Sequence, residues 1–200
     1  MRDFSQFKTF GNRVIVLGKG PSFVKWDGQA EFSDMVVGVN QAALFADCDL
    51  CVVSHVEPAV EVFRAKPEMD ILIPWYPIFG WTQETDMRAD QYHDLAGAEL
   101  WGYNAYWQGR NLVGDSPVIG GQGTTVHHLL NLLIPRGFKH FVFYGVDGGR
   151  KAYGKQYYAE NFRLDAKKYF ESGKSPTDFD AFFPYLFQLR RQYGLTYEFI

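Results

Sequence analysis

The chain has only two cysteines, Cys48 and Cys51, and both stand where a buried strand is predicted to begin. A zinc site built on Cys-x-x-Cys needs a second ligand pair, which the sequence lacks, and a redox pair normally stands at a helix start. We therefore predict that both cysteines are free thiols of the core and that the protein occupies a reducing compartment.

Long apolar runs and a strong net charge are also missing. No apolar run is long enough to span a bilayer, and residues 1–11 lack the apolar centre of a secretion signal. The formal net charge of −3 gives no electrostatic reason to bind a nucleic-acid backbone. We therefore expect a cytoplasmic protein without a membrane span, and nucleic acid is the least favoured partner.

What the chain does contain is a series of short β-branched runs that alternate with short helical stretches. The predicted strands are residues 13–18, 34–40, 49–54, 70–73, 140–146 and 194–200. This alternation predicts an α/β, Rossmann-like fold with a mostly parallel sheet and helices on both faces. At 200 residues the chain suits one core, so residues 1–200 are predicted to form a single nucleotide-binding domain.

The interval from residue 75 to residue 116 interrupts this pattern. It is rich in tryptophan and tyrosine and shows neither strand alternation nor a sustained helical stripe. Loops of this length inside compact domains are usually functional or mobile. We predict an irregular insertion that acts as a lid or an acceptor-side subdomain; the alternative is a small helical subdomain that packs its own core.

The first predicted strand runs into Gly18-Lys19-Gly20-Pro21-Ser22. Its two glycines allow a ligand to approach the backbone closely, and the Ser22 hydroxyl can cap a helix or bind a ligand. The segment does not complete a dinucleotide fingerprint, because Val24 and Lys25 stand where a third glycine is expected. We predict ligand contact here, since ligands of parallel sheets bind outside the carboxyl ends of the strands.

The second and third predicted strands also end in polar side chains. Asn40 either caps the next helix or binds a base edge or a ribose hydroxyl, because an amide both donates and accepts. Ser54, His55 and Glu57 follow the third strand and are expected at the same edge. Asp47-Cys48-Asp49 matches a metal-binding Asp-x-Asp motif but precedes its strand, so no metal is expected there.

Residues 120–149 combine a glycine-rich turn, a helix and a strand. Unpaired N–H groups at the helix start suit a phosphate, which makes Gly123, Thr124 and Thr125 candidate ligand contacts. The strand then delivers Gly145 and Asp147 to the same edge. The adjacent His127 and His128 are predicted to be structural, because neighbours on a helix cannot form an i, i+4 metal pair.

The segment after Asp147 alternates basic and aromatic residues. Tyrosine hydroxyls and cationic side chains can bind a phosphate, so this loop is a candidate phosphate contact. The alternative is a solvated surface loop. Arg150, Lys151 and Lys155 lie in the same loop, which leaves a modified base in DNA as a minor alternative acceptor.

In this order, the motifs resemble the bacterial sialyltransferases of glycosyltransferase family 42 and their relatives, the flagellin-associated and hydroxymethylpterin pyrophosphokinase-like proteins. The resemblance covers residues 13–60 and 117–200. The matching residues are Gly18-Lys19-Gly20-Pro21-Ser22, Asn40-Gln41, Ser54-His55, Gly123-Thr124-Thr125 and Gly145-Val146-Asp147. The resemblance implies a nucleotide held by these loops, a nucleotide-sugar donor as substrate, and no cofactor or metal. It also implies that Tyr153, with Tyr157 or Tyr158, contacts the donor phosphate.

Two departures from that family bear on the chemistry. Lys19 replaces a polar amide, and its charge favours a diphosphate donor. The family's general-base histidine lies downstream of the Gly-x-Asp strand, but no histidine follows His140 here. A hydroxyl acceptor must lose its proton to some group. The candidates are Asp147, favoured by position, His55, favoured by its titration range, and also Glu57 and His93.

The predicted function is a metal-independent, nucleotide-sugar-dependent glycosyltransferase that acts on a hydroxyl acceptor. One alternative is a pyrophosphokinase-like transferase, which would need ATP and magnesium. The other is a non-catalytic protein that binds a nucleotide or another small metabolite.

Overall fold

The computed structural model of the protein describes residues 1–9, 11–32, 34–79, 83–84, 87–104, 125–146 and 182–200. Its strands are β1 (Arg2–Asp3), β2 (Arg13–Leu17), β3 (Asp34–Val39), β4 (Leu50–Val52), β5 (Ile71–Pro74), β6 (Ile78–Phe79), β7 (Gln83–Glu84), β8 (Leu100–Tyr103), β9 (His140–Tyr144) and β10 (Thr196–Phe199). Its α-helices are α1 (Val56–Ala65), α2 (Thr125–Leu133) and α3 (Phe182–Tyr193). Short 3₁₀ helices are Phe4–Gln6, Pro21–Lys25, Asn40–Leu44, Ala89–Gln91, His93–Leu95 and Ile134–Arg136.

Eight of these strands form one sheet in the order β1-β8-β5-β4-β3-β2-β9-β10. Every neighbouring pair in this sheet is parallel. The β6 and β7 strands form a separate antiparallel pair. On one side of β2 the chain adds β3, β4, β5 and β8 in turn. On the other side it adds β9 and then β10. The strand order therefore reverses between β2 and β9.

The sheet is covered on both faces because successive side chains of its strands point to opposite sides. Val14 and Val16 of β2 share a core with Leu129 of α2 and Leu186 of α3. On the other face, Ile15 and Leu17 pack with the 3₁₀ helix at Pro21–Lys25, and α1 packs on β4 and β5. Strands buried on both faces read as continuous apolar runs, which is why they were recognisable. The predicted fold class is confirmed.

The predicted irregularity of residues 75–116 is wrong where strands form, at the β6–β7 pair and at β8. Leu100–Tyr103 form β8, which lies inside the sheet between β1 and β5. Gly102 cannot carry a side chain there, because a Cβ atom would lie 2.7 Å from the ring of Trp75. Residues 105–116 lie outside the described residues, so the lid or acceptor-side role of the insertion stays a prediction. The single-domain organisation also stays a prediction.

The cysteines behave as small core side chains. Cys51 is fully buried in β4, Cys48 is half-buried just before it, and both are free thiols. Burial raises the pKa of the Cys48 thiol to about 12 and raises that of Cys51 as well. A protonated thiol is a poor nucleophile and a poor metal ligand. None of the helices in the described part of the chain has both the length and the apolar composition needed to cross a bilayer.

Candidate functional site

The loops that follow β2 and β9 are joined to each other at the point where the strand order reverses. Gly18 N–H donates to the carbonyl of Tyr144 and Gly20 N–H donates to that of Gly145, each at 2.7 Å. The Ser22 hydroxyl oxygen accepts a hydrogen bond from Gly145 N–H at 2.8 Å. In open parallel sheets this reversal creates a crevice outside the carboxyl ends of the strands, where ligands bind. The structure thus brings Gly18, Gly20, Ser22 and Gly145 together, as predicted.

Gly18 and Gly145 must both be glycines because their loops lie against each other, a requirement that the sequence did not reveal. A Cβ atom on Gly18 would lie 2.4 Å from the carbonyl oxygen of Gly145, and one on Gly145 would lie 2.3 Å from that of Gly18. Gly145 also has a φ of +67°, in the left-handed region that favours glycine. The close approach in the structure is therefore between two protein loops. Contact of either glycine with a ligand stays a prediction.

Asn40 occupies an unusual backbone position at the carboxyl end of β3. Its φ is 54°, and it is the non-glycine residue with positive φ in the described part of the chain. Left-handed backbone at a non-glycine residue costs free energy and is enriched at functional sites. Its buried Oδ1 accepts no hydrogen bond within the described residues, and the 3₁₀ helix at Asn40–Leu44 has no side-chain cap. The capping role considered for Asn40 is therefore wrong, and the ligand-binding role remains.

Lys19 projects from the β2 loop toward the end of β3. Its ammonium group donates to Gln41 Oε1 at 3.0 Å, and Gln41 Nε2 donates to Glu61 Oε2 at 3.1 Å. Gln41 is buried, and Glu61 is a half-buried residue of α1. The structure therefore places a cation at the same edge as the glycine loops. Glu61 was not predicted as part of the site, and no local sequence signal points to it.

A buried polar network lies beneath the end of β4. The Ser54 and Thr125 hydroxyl oxygens are 2.7 Å apart, so the carboxyl end of β4 is tied directly to the first residue of α2. The Tyr103 hydroxyl lies 2.6 Å from Nδ1 of His128, and both residues are buried. Burial raises the pKa of Tyr103 well above its usual range, and a hydrogen bond from Ser54 lowers it in part. Ser54 and Thr125 thus meet; the sequence predicted both residues at this edge but not their contact.

The Tyr103 hydroxyl also donates to the Val53 carbonyl at 3.4 Å, so Tyr103 joins the end of β4 to α2. Burial, with smaller contributions from the neighbouring His127 and His55, lowers the pKa of His128 to about 3. His127 and His128 are both buried in α2, which agrees with the structural role predicted for them.

His55 stands between β4 and α1, beside Lys19. Burial lowers the pKa of His55, Glu57 partly opposes this, and the positive charge of Lys19 lowers it further. The imidazole is therefore neutral at pH 7 and can accept a proton. The remaining predicted site residues lie outside the described residues: Asp147, Gly123, Thr124, Tyr153 and Tyr157.

The Asp47-Cys48-Asp49 segment precedes β4, at the opposite edge of the sheet, as predicted. Asp49 Oδ2 there accepts a hydrogen bond from Val36 N–H at 2.7 Å, which joins β4 to β3. Among the described residues, no three His, Cys, Asp or Glu side chains are grouped as a metal site would require. A cleft of about 450 Å³ lies elsewhere, beside Phe4, Tyr103 and Arg136, and its lining includes none of the predicted site residues.

Neither a protein-family profile nor a curated protein sequence matches this chain. Among solved structures, it is similar to the sialyltransferase CstII from Campylobacter jejuni, determined in complex with the substrate analogue CMP-3FNeuAc. The two share 15% sequence identity over 82% of this chain and 77% of that one, with a TM-score of 0.38. A likeness of this degree assigns neither a family nor an activity, and the fold class rests on the sheet topology itself.

Proposed function

We propose that this protein binds a nucleotide-sugar at the carboxyl edge of its sheet and transfers the sugar to a hydroxyl acceptor. The observation that carries this proposal is the reversal of strand order between β2 and β9, with a glycine-rich loop after each of these strands. A crevice at such a reversal is the usual ligand site of open parallel sheets. Within the described residues, Ser22, Asn40 and Ser54 follow strands at the same edge.

The residues at this edge match the parts of a nucleotide-sugar. Lys19 and the N–H groups at the start of α2 suit phosphate oxygens. The Oδ1 of Asn40 is a buried acceptor and suits a donor group, such as a ribose hydroxyl or the amino group of a base. A buried acceptor without a partner is costly, so a ligand that donates to it gains affinity.

The transfer step needs one group that accepts a proton. In the proposed reaction, the acceptor hydroxyl loses its proton to the neutral imidazole of His55 or to the carboxylate of Asp147. The hydroxyl oxygen then forms a bond to the anomeric carbon, and the bond from that carbon to the phosphate oxygen breaks. The departing phosphate keeps the electron pair, and Lys19 offsets its charge. In this scheme a lysine, rather than a metal ion, stabilises the leaving group.

The first test is nucleotide binding by calorimetry, with cytidine, uridine, guanosine and adenosine mono- and diphosphates. The decisive variant is Asn40→Gly, which removes the amide while keeping a residue that tolerates the left-handed backbone. Its matched control is Asn12→Gly, an exposed residue at the opposite edge of the sheet. We expect N40G to weaken nucleotide binding by roughly tenfold and N12G to leave it unchanged. If no nucleotide binds, the proposal is wrong.

The second test is turnover of the matching nucleotide-sugar with hydroxyl acceptors, in the presence and absence of a chelator. Chelator-resistant release of the nucleotide supports the proposed transferase. Binding without turnover supports a non-catalytic nucleotide-binding protein. Consumption of ATP that depends on magnesium supports the pyrophosphokinase-like alternative.

A further inference from the structure

Lys19 belongs to a chain of three side chains that crosses from the sheet to α1. The ammonium group donates to the Gln41 carbonyl oxygen, and the Gln41 amide nitrogen donates to the Glu61 carboxylate. The contacts connect residues that are 22 and 20 positions apart in the sequence. The chain therefore exists only because the fold brings the β2 loop, the end of β3 and α1 together.

The orientation of Gln41 in this chain has one solution. An ionised carboxylate only accepts hydrogen bonds and an ammonium group only donates them. The Gln41 amide nitrogen must therefore face Glu61, and its carbonyl oxygen must face Lys19. Because Gln41 is 8% exposed, this orientation is held inside the protein rather than in solvent. Glu61 thus positions Gln41, and Gln41 positions the Lys19 charge.

The chain moves the Lys19 charge toward the middle of the carboxyl edge. Lys19 follows β2, but its ammonium group reaches Gln41, which follows β3. The next strand, β4, ends at Ser54, which contacts the first residue of α2. The edge therefore carries a positioned ammonium group over β3 and, over the neighbouring strand β4, the first described residue of α2. An ammonium group and a helix N-terminus both suit an anion.

We propose that Lys19, positioned by Gln41 and Glu61, makes this site selective for a nucleoside diphosphate sugar over a nucleoside monophosphate sugar. This inference rests on the proposed function and names the donor class. A sugar linked through one phosphate carries one negative charge there, and a sugar linked through two phosphates carries two. The helix N-terminus suits the first phosphate, and the Lys19 ammonium group suits the second.

The test is the ratio of the dissociation constants of the monophosphate and the diphosphate of the same nucleoside, measured by calorimetry. Lys19→Gln removes the charge, while its amide can still donate to Gln41. Lys25→Gln is the matched control, since Lys25 is exposed on the following 3₁₀ helix. Gln41→Leu keeps the Lys19 charge and removes its positioning, and circular dichroism verifies that each variant is folded.

We expect the wild-type protein to bind the diphosphate about tenfold to a hundredfold more tightly, the range of a charge-assisted hydrogen bond. K19Q is expected to bring the ratio below about threefold, Q41L to give an intermediate ratio, and K25Q to leave it unchanged. A wild-type ratio near one, or a ratio that K19Q does not change, overturns this inference but leaves the proposed function standing. Failure to bind any nucleotide overturns both.

Discussion

Replacing Tyr103 with phenylalanine removes one oxygen atom from the buried network that joins β4, β8 and α2. The ring keeps its shape, so the substitution creates no cavity. The lost contacts are the 2.6 Å hydrogen bond with His128 Nδ1 and a longer one, 3.4 Å, to the Val53 carbonyl. His128 is 1% exposed, so water does not replace the missing partner. The substitution therefore measures what the buried hydrogen bonds of Tyr103 contribute to stability.

The expected magnitude follows from that contribution. A buried polar atom that loses its partner destabilises a protein by about 1–3 kcal/mol. For a chain of 200 residues, each kcal/mol corresponds to roughly 2–4 °C in melting temperature. Y103F should therefore melt about 2–12 °C below the wild type and unfold at a lower guanidinium concentration.

The assay is thermal and guanidinium unfolding followed by circular dichroism. Tyr76→Phe is the matched control, because Tyr76 is 53% exposed. Its expected effect is less than about 0.5 kcal/mol. If Y103F and Y76F unfold alike, the network does not hold α2 against the sheet.

Three further predictions concern the frame of the site and its response to pH. Gly145→Ala should destabilise the protein by more than about 2 kcal/mol, because the added Cβ clashes with a carbonyl oxygen and the backbone φ is positive. Gly28→Ala is the control, since it carries only the strain of a positive φ, and chemical denaturation compares the two variants. The hydrogen bond from Arg13 lowers the pKa of Asp34 in the folded protein. The stability that this carboxylate contributes is therefore present above the pKa of the unfolded state and is lost as pH falls through the pKa of the folded state. Asp34→Asn should cost about 1–3 kcal/mol at pH 7 and progressively less in acid, measured by urea unfolding at each pH. Burial lowers the pKa of His128 to about 3, so the wild type should lose stability as pH falls from about 6.5 toward 3, and His128→Asn should show a shallower loss in the same titration.

Much of the fold could be predicted because buried parallel strands leave a clear local pattern. Arg13–Leu17, Asp34–Val39 and His140–Tyr144 are short runs dominated by apolar residues, and the predictions for them agree with the observed strands to within two residues. β8 was missed because Leu100–Tyr103 contains no β-branched residue and includes Gly102. That glycine makes room for Trp75, a contact between residues 27 positions apart that no local pattern reveals.

The candidate site was predictable as a set of strand ends, but not as a set of contacts. Gly18, Asn40 and Ser54 were placed at one edge because each follows a strand. Their partners were not predictable, since the Lys19–Gln41–Glu61 chain and the Ser54–Thr125 pair join distant segments. The sequence motif also suggested a ligand as the reason for the glycines, whereas the structure shows contact between two loops.

The sequence by itself determined the positions of six strands of the sheet, the parallel fold class and the polar residues that follow the strands, because these depend on local composition and periodicity. Only the tertiary structure decided the strand order and its reversal between β2 and β9. It also decided that Asn40 adopts a left-handed backbone and that Lys19 reaches the end of β3. These features depend on which strands pair and on where side chains from distant segments meet, and neither is encoded in the spacing of residues along the chain.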